Sequence, residues 1–235
     1  MQARVHVLGV CLNVLVACSV SSATLEVIPV LTLYFSPNSC ALASHLALEH
    51  SGANYATQRV DFAKQEQRSA AFLKVNPKGR VPALATERGL LTETPAILAY
   101  VAQRFPLARL VPLADPFAFA EAQAFNSFLC STVHVAHAHR YRGYRWVDDE
   151  TAIEAMKRKV PQTMRACFEQ IEQDYFKGPF VLGEHYSICD MYLFTITQWL
   201  AGDEVDVNWF PKVATHHRWM LANPTVQKVL TAQVA

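Results

Sequence analysis

The sequence predicts a mixed α/β unit over residues 30–110 followed by an all-helical unit over 111–235. Two observations predict this. The first is an ordered series of short strands and helices, read as βαβ, then α, then ββα, before a proline-bearing linker at Pro106 to Pro116. The second is the long helical periodicity, without strand signals, after that linker. A chain of 235 residues, about half of them apolar, is large enough to bury a sizeable core.

The opening element is Leu31 to Phe35, an apolar, β-prone run. Ser36-Pro37-Asn38-Ser39 is turn chemistry. A helix follows, with Leu42 and Leu46, and Ala43 and Ala47, spaced by four, and Gly52 is suited to end it. Cys40 therefore falls in the first turn of a helix just beyond a strand. Unpaired N–H groups and the positive end of the helix dipole are expected there to stabilise a thiolate and lower its pKa. A buried structural cysteine fits the same pattern.

Tyr55 to Val60 reads as a second strand, parallel to the first, and Ser69 to Val75 as a short helix. Asn76-Pro77-Lys78-Gly79 is a break. Val81 to Ala85 is a strand opened by Pro82, which suits an edge or a first strand position. A cis Val81–Pro82 bond there would turn the Val81 backbone outward to pair with an extended peptide; an ordinary edge-strand proline is the alternative. Leu90 to Thr92 is a short strand and Pro95 to Phe105 a helix, with Thr94 at its N-cap. Its free N–H groups suit a carboxylate and Glu93 an ammonium group, which an α-amino acid end presents together, although simple capping explains the same residues.

In the second half, Phe117 to Tyr141 is expected as one long helix and Asp149 to Phe176 as another, bent or divided at Pro161. Ser187 to Leu200 is apolar all round and therefore buried. It opens on the capping box Ser187-Ile188-Cys189-Asp190, which assigns Asp190 to folding. Pro211 to Ala222 and Pro224 to Ala232 complete the chain.

The formal net charge is +1, with no long basic run and no basic-aromatic stripe, which argues against nucleic acid. Six cysteines at 11, 18, 40, 130, 167 and 189, with no C-x-x-C pair, argue against a zinc site or disulfide framework and for reduced thiols. His134 and His137 share a helical face, but no carboxylate lies nearby in sequence and His139 falls on another side, so no metal is expected. Tyr141, Arg142, Tyr144, Arg145 and Trp146 form an aromatic, basic patch that suits an acceptor pocket or a solvated helix end. Residues 1–29 read as an extension outside the fold. A secretory or lipoprotein signal over Met1 to Ala23 is the alternative, and would make the protein exported or lipid-anchored instead of cytoplasmic.

The segments Tyr34 to Cys40, Asn76 to Leu84 and Glu93-Thr94-x-Ala96-Ile97 occur in the order and spacing of the thioredoxin-like domain of glutathione transferases. With Cys40, the chain most resembles the bacterial beta class, whose active-site residue at that place is cysteine. The capping box at Ser187 is similar to the one that opens the buried helix of the family. The resemblance implies a glutathione transferase that uses glutathione as co-substrate, a cytoplasmic homodimer with a role in detoxification. Its second substrate would be a small electrophile or a disulfide. Cys40 and His134 would be catalytic, and Tyr34, Ser39, Phe62, Lys64, Val81, Pro82, Glu93 and Thr94 would hold glutathione. Within that set, the resemblance implies that Val81 and Pro82 bind the cysteinyl backbone and Glu93 and Thr94 the γ-glutamyl end; Lys64, from its place in the loop after the second strand, is expected to neutralise the glycyl carboxylate. The family usually has Ser where this chain has Thr94, and Lys after the histidine where it has Val135. A glutathione-dependent dehalogenase or isomerase, or a non-catalytic binding protein on the same fold, are the alternatives.

Overall fold

The computed structural model describes residues 31–234. The leader reading of Met1 to Ala23, with Cys11 and Cys18, lies outside them. The first half is a four-stranded sheet of order β2-β1-β3-β4. Strand β1 (Leu31–Phe35) pairs parallel with β2 (Tyr55–Arg59) and antiparallel with β3 (Ala83–Thr86), and β3 pairs antiparallel with β4 (Gly89–Thr92). Between them lie α1 (Ala41–Ser51), α2 (Ala70–Val75) and, after β4, α3 (Thr94–Arg104). β2 forms one edge, and its largely exposed polar sequence keeps that edge from attracting another strand.

Helix α1 is the shared wall. Every residue from Ala41 to Leu48 is buried, and the helix packs on the sheet, on α3 and on helices of the second half. No apolar stripe is visible in its sequence because nearly every side is covered. Gly52 ends it in the left-handed region, φ 70°, where its N–H caps two carbonyls of the last turn. The Asn76–Gly79 break is a tied turn: the Asn76 amide donates to the Arg80 carbonyl and its oxygen accepts from the Lys78 N–H. Gly79 has φ 60°, and a Cβ there would meet the Gln67 carbonyl at 2.9 Å.

Pro82 is not on an edge, because β3 is interior. It precedes the strand's first residue, Ala83, so no ladder bond is lost. The Val81–Pro82 bond is cis. Thr94 is the first residue of α3, and the N-cap is Glu93, with φ 71°.

The second half is helical: α4 (Pro116–Phe128), α5 (His134–Arg142), α6 (Glu150–Gln170), α7 (Ile188–Thr197), α8 (Pro211–Ala222) and α9 (Pro224–Val234). The expected single helix over 117–141 contains a wide turn at Leu129–Val133 that separates α4 from α5. Pro161 does not divide α6. Val160, Met164, Cys167 and Phe168 bury one face on both sides of it, and that packing offsets the missing N–H, which costs about 3 kcal/mol. A second wide turn, Ile171–Tyr175, follows the helix instead.

All ten residues of α7 are buried, and the helix packs on α1, α4 and α8. Its capping box is complete: the Ser187 hydroxyl accepts from the Cys189 N–H, and Asp190 accepts from the Ser187 N–H at 2.8 Å. Asp190 also accepts from the Val181 N–H at 2.9 Å, and Nε2 of buried His216 stands 3.1 Å from it. Asp190 thus ties the Val181 segment to the start of α7, with His216 of α8 packed beside it.

Two predictions follow from this burial. Asp190→Ala leaves buried donors unmatched and should lower stability by about 3 kcal/mol or more in a denaturant titration; a loss under ~1 kcal/mol would remove the residue from this role. His45 is buried on α1 between Phe35 and Tyr55, with Nδ1 3.2 Å from the Gln233 amide, and burial holds its pKa down to about 4. The unfolded chain therefore takes up this proton first on acidification. Stability rises with pH between about 4 and 6.5 and is lost below. Going from pH 7 to 5 should cost wild type ~2 kcal/mol more than His45→Gln; equal losses would place the acid sensitivity elsewhere.

Candidate functional site

Strand β1 delivers the chain into the Ser36–Ser39 turn, where Asn38 takes φ 59° and the Ser39 N–H and hydroxyl both donate to the Ser36 carbonyl. Cys40 follows as the N-cap of α1, with φ −62°. Its thiol donates to the Val81 carbonyl at 3.6 Å, joining the turn to the start of β3. From the other half of the molecule, the Trp199 indole N–H donates to the Asn38 carbonyl at 3.1 Å. No local pattern announces this bond, which spans 161 positions.

Cys40 opens on a cleft of about 700 Å³ between the sheet-bearing half and the helices. Ser39, Phe62, Val81, Pro82, Glu93 and Thr94 line it from one side and His134 from the other. Tyr34 and Lys64 do not line it. The Tyr34 ring packs edge-on against Phe72, 5.9 Å between centroids, and Lys64 is exposed beside Asp61 at 3.7 Å. The cations on this wall are instead Arg68, Lys78 and Arg80. Lys78 and Arg80 belong to the Asn76–Leu84 motif, immediately before Val81, and that position was the available signal. The Lys78 ammonium donates to Glu93 at 2.7 Å and to the Thr92 hydroxyl at 2.9 Å, so Glu93 already has a cationic partner.

On the helical wall, Arg142, Tyr144, Arg145 and Trp146 of the aromatic, basic patch reach the cleft, while the Tyr141 hydroxyl turns to the Gly202 carbonyl. Cys130 lies in the wide turn before α5, and Tyr192 on α7; both line the cleft and neither was singled out from the sequence. No Gly or Pro marks that turn, so nothing local announced where Cys130 would point.

The electrostatics reverse one expectation. Burial pushes the Cys40 thiol above its ordinary value; the Thr94 hydroxyl and Arg142 pull it back, but less strongly. A helix N-terminus contributes about 0.3–1 kcal/mol to an anion, whereas withdrawing a charge from water costs several. Cys40 is therefore a neutral thiol in the free protein. Burial likewise raises Cys130. His134 is held down to about 3, first by burial and then by Arg142, so it is a neutral ring and not a cation. Arg142 lies 3.2 Å from its Nε2 and donates to it, which leaves the ring proton on Nδ1. His137 does meet a carboxylate: its Nδ1 is 2.7 Å from buried Asp203, which the fold brings from 66 residues away. Its ring stacks on Trp199 at 4.4 Å, and His134 tilts against the same indole at 4.8 Å.

The family model described as "Glutathione S-transferase, N-terminal domain" matches residues 29–103. A glutathione transferase homolog from Sulfitobacter, solved with bound glutathione, is 45% identical, with TM-score 0.85 over 88% of this chain and 99% of that one. A bacterial beta class glutathione S-transferase from Sphingomonas chungbukensis is 29% identical, with TM-score 0.74 over 86% and 98%. The glutathione S-transferase GstA of Escherichia coli O157:H7 is 27% identical over 86% of this chain and 98% of its own length. With a thioredoxin-like sheet, a helical second half and a cysteine turn at their junction, the chain belongs to the glutathione S-transferase family.

Proposed function

We propose that the protein binds glutathione in the cleft and transfers the glutathionyl group, through its sulfur, to a small electrophile, with Cys40 as the group that meets the sulfur. The observation that carries this reading is the thiol of Cys40 on the Val81 carbonyl, at the mouth of a cleft rimmed by cations. Glutathione carries two carboxylates and one ammonium group, and a basic rim attracts it. In this reading Val81 and Pro82 meet the cysteinyl backbone. Thr94 and the free N–H groups of α3 hold the γ-glutamyl carboxylate, and Glu93 takes the ammonium group, sharing it with Lys78. Ser39 and Phe62 complete the pocket. Lys64 and Tyr34 have no part in it as placed, and Gln65, Gln67 and Arg68, which line the cleft, would take the glycyl carboxylate. A homodimer and a cytoplasmic address are carried over on family membership alone.

The protonation of Cys40 selects between two chemistries. A thiol with pKa above 9 is less than about 1% ionised at pH 7, which makes Cys40 a poor attacking group for disulfides. As a donor it is well suited. In the complex its S–H turns from the Val81 carbonyl to the glutathione sulfur and stabilises that sulfur as the thiolate, while the released proton leaves to solvent. The thiolate then attacks the electrophilic carbon, a C–S bond forms and the leaving group departs. Neutral His134 and the Arg142 guanidinium border the same space, and Arg142 adds positive potential. Exchange through a Cys40–glutathione mixed disulfide is the slower alternative of the same site.

The test is retention on immobilised glutathione together with turnover of 1-chloro-2,4-dinitrobenzene. Wild type should bind and turn over, and Cys40→Ala should keep glutathione affinity within about threefold while losing about tenfold in kcat. A protein that is not retained on glutathione would overturn the reading. Retention with neither turnover of the electrophile nor thiol–disulfide exchange with oxidised glutathione would leave a binding protein.

A further inference from the structure

Arg142 ends α5 with its guanidinium turned into the cleft. One Nη contacts His134, and its Nε is buried with no hydrogen-bond partner among the described residues. No carboxylate among the described residues pairs with it. The acids that could have done so are taken: Glu204 by Arg140, Asp203 by His137, Glu93 by Lys78. Its charged neighbours are instead Arg145 and Arg80, and burial with this repulsion lowers its pKa from the usual arginine value. A half-buried cation among like charges is costly to fold, since desolvation and repulsion act in the same direction. At this point the fold leaves a planar donor fork facing open space.

Neither carboxylate of glutathione supplies the missing charge. In the reading above, which this inference rests on, its γ-glutamyl end goes to Thr94 and its glycyl end to the Gln65–Arg68 side, both on the sheet-bearing wall. Arg142 stands on the helical wall with Tyr144 and Trp146, which are exposed and offer flat apolar faces. We propose that the second substrate is an organic anion, whose carboxylate pairs with the Arg142 guanidinium while its unsaturated or aromatic body lies against Trp146 and Tyr144. Arg142 and not His134 then sets specificity, because His134 is neutral and offers no charge to an acid. Arg145 and Arg80 add attraction at longer range, screened by salt.

The experiment compares 4-chloro-3-nitrobenzoate with 4-chloro-3-nitrobenzamide, which share the reacting carbon and differ in the charged group. Binding of each is measured by calorimetry, with and without S-methylglutathione, which occupies the glutathione site but cannot transfer. Wild type should bind the acid at least tenfold more tightly than the amide. Arg142→Gln should reduce that ratio to about one, and Arg142→Lys, a point charge without the fork, should keep part of it. Circular dichroism and melting of each variant establish that it is folded. Equal affinity of wild type for acid and amide, or a ratio unchanged in folded Arg142→Gln, would overturn the proposal. An acid preference that depends on Arg142 in a protein with no glutathione affinity would uphold the anion site and overturn the transfer reading instead.

Discussion

The bond from the Trp199 indole to the Asn38 carbonyl ties the two halves of the molecule together at the turn that carries Cys40. The indole is fixed in turn. His137 stacks on it, His134 tilts against it, and Asp203 holds His137. Helix α1, on the other side of the thiol, is buried through most of its length between the sheet and the helical half. The consequence is chemical as well as mechanical. Closing a helix N-terminus under a second body removes water from the thiol, and that costs an anion more than the helix dipole returns. The same closure makes a cleft with charged residues on both walls.

Those walls differ. On the sheet side, Lys78 and Glu93 neutralise each other beside the start of α3, an arrangement suited to a zwitterionic amino acid end. On the helical side, Arg142 is unmatched and has arginines as its charged neighbours. An incoming anion would neutralise this charge, and so would weaken the positive field that a glutathione thiolate experiences next to Cys40. Binding of the second substrate and ionisation of the first sulfur are thus linked through Arg142. The neutrality of His134 follows from the same crowding, since Arg142 on its ring and burial both disfavour a second positive charge.

Much of this was legible in the sequence, for local reasons. β1, the left-handed cap at Gly52, the start of α8 and the Ser187–Asp190 box are each set by a few adjacent residues, whereas the Val81–Pro82 dipeptide alone fits an ordinary proline as well as the cis bond the fold contains. The misses are non-local. The wide turn at Leu129–Val133 has no breaker residue, and Pro161 is carried by packing of the buried face around it. Asp203 reaches His137 only in the fold. Lys64 was chosen by its place in a loop, but Asp61, three residues before it, holds it on the surface. The direction of the Cys40 shift is not legible locally, because the sequence shows the position on the helix and not the body that covers it.

The account turns on the sulfur of Cys40 being protonated until a ligand arrives. The direct measurement is the thiolate absorbance near 240 nm as a function of pH, taken as the difference between wild type and Cys40→Ser without ligand. A single transition with its midpoint above the ordinary value of 9.0 is the predicted result. A midpoint below 8 would mean that the helix dipole, Thr94 and Arg142 outweigh burial, and would make Cys40 an attacking thiolate instead of a donor.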